Sequence, residues 1–117
     1  MEEWNDIYNE NREKTGALHL RGTPWGPGEY GLVVCVWVYD GKGKLLLTRR
    51  AREKSFSGTW ENSGGAVRAG EDSRTAIARE LREETGIDVP KESFELLDSQ
   101  RDKNTFYDFY CLKHPVP

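Results

Sequence analysis

Residues 30–39 read Tyr-Gly-Leu-Val-Val-Cys-Val-Trp-Val-Tyr, and no other stretch constrains the fold so strongly. β-Branched and aromatic side chains dominate it, and apolar groups fall on both alternating faces, which predicts a strand with apolar surface on each side. The turn sequence Asp40-Gly41-Lys42-Gly43 follows, and residues 44–50 (KLLLTRR) return as the second strand of a hairpin. Upstream, scattered aromatics and turn residues predict a short strand through Trp4, Ile7 and Tyr8, with a helix there as the competing reading. A turn near 14–16, a second strand over 17–20 and a loop complete that half. Downstream come a loop over 51–57, an extended segment over 59–63 ending at Gly64-Gly65, and a helix over 73–85 stopped by Gly86. Extended chain resumes at 87–89, a turn follows at 90–93, and strands at 94–99 and 105–112 flank a polar turn at 101–104. Strands around one strong helix make an α/β (α+β) layered domain.

At 117 residues the chain is expected to be one domain spanning 1–117, and its four Trp, five Tyr and four Phe supply a core. No run approaches the ~20 apolar residues of a membrane span. The acidic start MEEWNDIYNE is unlike a secretory leader, so a cytoplasmic location without membrane contact is predicted. A net charge of −3 argues against nucleic-acid binding. It leaves room for a small anionic substrate, because a few basic residues and a metal dominate locally. Cys35 and Cys111 lie in apolar or aromatic runs without CxxC spacing, which predicts two buried thiols rather than a disulfide or a zinc site.

The chemistry concentrates in residues 64–87, GGAVRAGEDSRTAIARELREETGI. On a helical wheel Ile77, Ala78, Leu81 and Thr85 share the face that packs on a sheet, while Glu80, Glu83 and Glu84 share another. Glu80 stands at i,i+3 and i,i+4 from the other two, where like charges repel by a few tenths of a kcal/mol per pair. A hard divalent cation held by oxygens is the natural counterweight. A solvated acidic face, neutralised by Arg79 and Arg82, is the plain alternative. Gly64 and Gly65 before the helix permit close backbone approach, where a carbonyl can face the metal. Glu71, beside the helix start, can cap exposed amides or reach back to fix the loop.

These residues are identified as a Nudix box: Gly65, Glu71, Arg79, Glu80, Leu81, Glu83, Glu84, Gly86 and Ile87 fill every fixed position of G-x5-E-x7-R-E-U-x-E-E-x-G-U. A chance match at one window is on the order of 1 in 10⁹. The resemblance implies a mixed β-sheet sandwiched by helices, with the box as strand end, loop, helix and loop. It also implies Mg²⁺- or Mn²⁺-dependent hydrolysis of a nucleoside diphosphate linked to another moiety. Carried over by position, Glu80, Glu83 and Glu84, with the Gly64 carbonyl, form the metal set. Glu80, Glu83 and Arg79 form the catalytic set, Glu80 as a further ligand or the general base and Arg79 as the orienter of the glutamates. Gly65, Glu71 and Gly86 fix the loops. The absence of imidazole from the cluster argues against zinc.

Residues 28–65 further resemble the branch that contains isopentenyl-diphosphate isomerases. The isomerase cysteine is missing from Asn62-Ser63-Gly64-Gly65, and Gly31 stands where a metal-binding histidine is expected, so hydrolase chemistry is favoured over isomerase chemistry. Arg49, Arg50 and Lys54, near the box, are candidate phosphate contacts. Trp4, Trp37 and Trp60 are read as core, and His19 and His114 as solvated or structural. Many family members continue with an acidic loop and a C-terminal helix. Here the sequence stops at Val116-Pro117, so that helix is expected to be absent, with Asp102 or Asp108 as candidates to replace the loop's carboxylate and a homodimer as one cover for the exposed sheet edge. The rival to an enzyme is a Nudix module that binds a nucleotide-like ligand without turning it over.

Overall fold

The structure is a computed structural model that describes residues 2–43, 45–46, 48–49, 60–61 and 63–115. Its strands are β1 (Trp4–Tyr8), β2 (Lys14–Leu20), β3 (Gly31–Tyr39), β4 (Leu45–Leu46), β5 (Thr48–Arg49), β6 (Trp60–Glu61), β7 (Ser63–Ala66), β8 (Glu95–Asp102) and β9 (Thr105–Lys113). One α-helix, α1 (Ser73–Thr85), lies between β7 and β8, followed by a 3-10 turn at Lys91–Ser93. The strand predicted at 30–39 is the centre of the fold. β9 runs parallel to β3 along one edge, and β8 pairs antiparallel with β9. β7 and β4 share the other edge, both antiparallel, with Cys35 opposite Gly64 and Val38 opposite Leu46. The return strand predicted over 44–50 divides: β4 pairs with β3, but β5 pairs with β6 instead. The loop predicted over 51–57 lies outside the described residues.

Helix α1 begins and ends where its residues dictate. Asp72 caps it, Oδ1 accepting from the Thr75 N–H at 2.8 Å, and Gly86 closes it at φ 80 with its N–H on the Arg82 carbonyl. Its apolar side presses Ala76, Ile77 and Leu81 onto Leu32, Val34, Val36 and Val38 of β3. Full burial of each Leu, Ile or Val stabilises by about 1.5–3 kcal/mol. Ala76 was not on the predicted apolar face but is fully buried. The other face of β3 behaves differently. Val33 and Cys35 are half-buried there, and Trp37 is 39% exposed, contrary to its expected core position. Among the described residues α1 is the one α-helix, and it packs on the face of β3 opposite Trp37. Trp4, also expected in the core, is 42% exposed on the hairpin. Both thiols are half-buried rather than fully buried. No helix among the described residues is long and apolar enough to cross a membrane.

β1 and β2 form a separate hairpin with Asn5 opposite His19. Its turn closes at residues 9–13, earlier than predicted, because the Asn9 side chain accepts from the Asn11 and Glu13 N–H groups. Thr15 and Gly16 instead lie inside β2, beside the irregular register with β1. The hairpin is fastened to the body at several points. Tyr8 and Tyr30 exchange backbone hydrogen bonds, Asn5 donates to the Val67 carbonyl, and Gly70 N–H reaches Asp6. The strongest tie is Asp108 of β9, which accepts from both Nη atoms of Arg12, from Ser73 and from Ser99.

Burial alone would raise the Asp108 carboxyl pKa; Arg12, Ser73 and Ser99 outweigh burial and hold it below its ordinary 3.8. A depressed carboxylate contributes stability above its unfolded pKa and loses it as pH falls through the folded value. Asp108→Asn is therefore expected to cost about 2–3 kcal/mol at neutral pH, less than a fully buried pair because the Arg12 side chain is 33% exposed. The gap from the parent should narrow below pH 3.8. Urea midpoints at pH 7 and pH 3 check both statements, and a gap independent of pH would refute the second.

Candidate active site

The box residues meet where α1 passes β7. Glu80, Glu83 and Glu84, with Gly64, Gly65 and Ala66, line one open cavity of ≈ 230 Å³. Glycine is needed at 64 and 65 for close approach, not for dihedral freedom, since neither has a positive φ. A Cβ at Gly65 would stand 2.5 Å from Glu80 Oε1, so this carboxylate lies directly against the strand. A Cβ at Gly64 would stand 2.2 Å from the Val34 carbonyl oxygen. Gly64 also donates its N–H to Glu84 Oε1 at 3.3 Å, so its amide supplies the contact to the glutamates that is present in this structure.

Arg79 organises the cluster from behind. Its Nε and Nη2 donate to the two oxygens of Glu71 at 2.6 and 2.9 Å, and Nη1 donates to Glu80 at 3.0 Å and Glu83 at 3.2 Å. The side chain is only 10% exposed. Glu71 completes the loop clamp by accepting the Arg68 N–H at 2.9 Å. Burial pushes the Glu71 carboxyl up, but Arg79 and the Arg68 amide more than offset it and hold it below the usual range. The Glu71 bond in turn keeps Arg79 firmly protonated despite its own desolvation. Glu71 thus serves the loop and Asp72 the cap.

The predicted cluster of Glu80, Glu83, Glu84, Gly64 and Gly65 is brought together, with Arg79 and Glu71 behind it and Gly86 ending the helix. Arg82 pairs with Asp88 instead of the glutamates. Arg49 lies in β5 opposite Trp60, its side chain outside the described residues, as are Arg50 and Lys54. Neither Asp102 nor Asp108 lines the cavity. Sequence reasoning missed Glu3, Arg21 and Arg68, which do. Arg68 bridges Glu3 at 3.3 Å and Glu83 at 3.6 Å. Its place between Gly65 and Glu71 was a usable signal, whereas Glu3 and Arg21 arrive through the hairpin.

Three hard-oxygen carboxylates in one cavity fit a hard divalent cation by donor chemistry. Among the described residues, however, no three metal-ligating side chains already surround a common point. Arg79 holds Glu80 through Oε1, and Arg79 and Arg68 both hold Glu83, so a cation would share these carboxylates with the arginines. A Cβ at Gly31 would meet the Trp25 ring at 3.1 Å, so a side chain at this position would have to shift the indole by a few tenths of an ångström.

The domain family described as NUDIX domain matches residues 29–114. A Listeria monocytogenes protein described as an uncharacterized Nudix hydrolase is 36% identical over 118 residues, covering 99% of this chain and 69% of that one. An Escherichia coli isopentenyl-diphosphate Delta-isomerase is 33% identical over 90 residues, covering 74% of this chain and 50% of the isomerase. A crystal structure from Deinococcus radiodurans superimposes with a TM-score of 0.80 at 28% identity, covering 98% of this chain and 74% of that one.

Proposed function

The chain belongs to the Nudix hydrolase family, and on that premise we propose that it cleaves the pyrophosphate bond of a nucleoside diphosphate linked to another moiety. Glu80, Glu83 and Glu84, with the Gly64 carbonyl, would hold Mg²⁺ (or Mn²⁺), which neutralises charge developing on the phosphoryl oxygens. The observation that carries this reading is the convergence of those three carboxylates on the glycine backbone of β7 in one cavity. Water attacks phosphorus, one P–O bond forms and the bridging P–O bond breaks, and the water's proton passes to Glu80 or Glu83. Arg79 positions both carboxylates, and Glu71 positions Arg79. Arg49, Arg50 and Lys54 are the proposed phosphate contacts.

A panel of nucleoside and isoprenoid diphosphate compounds, assayed for product release with Mg²⁺, tests the proposal. At least one nucleoside compound is expected to turn over, with a loss of about a hundredfold or more in Glu84→Gln. That variant removes one charge at nearly constant shape. No turnover of any compound, while Mg²⁺ still raises the melting temperature, replaces the enzyme by a binding module.

A further inference from the structure

A second cavity, of ≈ 210 Å³, lies between the β1–β2 hairpin and the start of β3. Arg21 and Ala66 line both this cavity and the acidic one, so the two adjoin. We propose that the hairpin cavity receives the organic group next to the diphosphate, and that this group is a nucleobase. The inference rests on the hydrolase reading only for the phosphate end.

Part of the cavity wall is an aromatic pair held in place. Trp25 stacks on His19 with ring centroids 3.6 Å apart and planes inclined by 12°. His19 is itself held, because the Thr23 carbonyl can only accept and Nε2–H donates to it at 2.8 Å. A prepositioned aromatic plane costs little entropy to bind against. The same histidine is 7% exposed, and its Nδ1 is buried without a hydrogen-bond partner. Asn5, Thr23 and Thr105 add polar groups around the ring pair. An isoprenyl tail would desolvate these groups and return no hydrogen bond, a cost that a heteroaromatic ring with donors and acceptors avoids. The volume is below the ~300–1,000 Å³ of pockets that enclose a whole ligand, which fits one ring system with the phosphates lying outside it. Arg21 stands at the junction, its guanidinium 3.3 Å from Glu3, where the phosphates would pass.

The test compares kcat/KM with Mg²⁺ for a base-bearing substrate, the same compound lacking its base, and isopentenyl diphosphate. Deleting the base is expected to cost the parent protein about tenfold to a hundredfold. Trp25→Leu should lose about as much on the base-bearing compound and little more on the base-less one. Gly31→Ala, whose methyl would press on the indole at 3.1 Å, should give a smaller loss in the same direction. Thermal melts establish that each variant is folded. Independently of turnover, a nucleoside 5′-monophosphate should shift the Trp25 indole N–H resonance. Equal turnover with and without the base, or best turnover of isopentenyl diphosphate, overturns the base pocket and leaves hydrolysis standing. No turnover together with the indole shift overturns hydrolysis and upholds the pocket, and no turnover without the shift overturns the pocket.

Discussion

Gly64→Ala and Gly65→Ala, one residue apart in β7, are expected to fail in different ways. At Gly64 the new methyl meets backbone on two sides, the Val34 carbonyl oxygen at 2.2 Å and Cys35 Cα at 2.9 Å. Those atoms belong to the central strand, whose pairing with β9 extends along its whole length. Relief requires β7 to leave β3, and we expect a loss of about 3 kcal/mol or more, or no folded protein. At Gly65 the methyl meets only the end of the Glu80 side chain, Oε1 at 2.5 Å and Cδ at 2.7 Å. That side chain can rotate away, so the fold should lose only about 1 kcal/mol. The carboxylate then leaves the position from which it serves the site, and displacement of a catalytic group by about 1 Å costs on the order of a hundredfold in rate. Urea midpoints and turnover per folded molecule separate the two cases. Undiminished turnover in Gly65→Ala, or equal destabilisation by both variants, would show that Gly65 does not seat Glu80 as described.

That contrast marks how far the sequence carried the reading. The helix bounds, the acidic strip and the loop glycines were legible because they depend on neighbours within one or two turns, and Ser73–Thr85 matches the predicted helix. Gly65 could be named, but the contact that requires glycine there crosses to Glu80, fifteen positions away. Strand character at 30–39 was legible while the environment of its faces was not. Alternation cannot tell which apolar face receives the helix, and Trp37 fell on the other one. Asp108 read as a spare catalytic carboxylate, yet its chemistry is fixed by Arg12, which reaches it from the hairpin turn. His19 and Trp25 carried no pattern at all, since their stacking depends on how the loop after β2 folds back over Gly31. Asp72 did leave a signal, an aspartate immediately before the first helical residue, and it went unread beside the more prominent Glu71.

Replacing Arg79 by alanine should lower stability and turnover together while increasing the protein's response to Mg²⁺. The guanidinium is buried and serves Glu71, Glu80 and Glu83 at once. Its removal leaves the Glu71 carboxylate, whose side chain is 15% exposed, with only the Arg68 amide, and a loss of about 3 kcal/mol is expected at neutral pH. The sign of the pH dependence follows from Glu71. In the parent its pKa is depressed below the ordinary 4.5, so its pairing stabilises above that pH and fades as pH falls through the folded value. The stability gap between parent and variant should therefore narrow below pH 4.5 rather than widen. The Mg²⁺ response has the opposite origin. Arg79 competes for the oxygens of Glu80 and Glu83, and without it their mutual repulsion is relieved chiefly by the added cation. A larger Mg²⁺-induced rise in melting temperature, beside reduced kcat, is the signature of a positioning residue. Arg79→Lys separates charge from geometry, since lysine keeps the cation but cannot fork to Glu71 while reaching Glu80 and Glu83. It should restore much of the stability and little of the rate. Equal recovery of both would reduce Arg79 to a neutralising charge, the role a solvated acidic face would have given it.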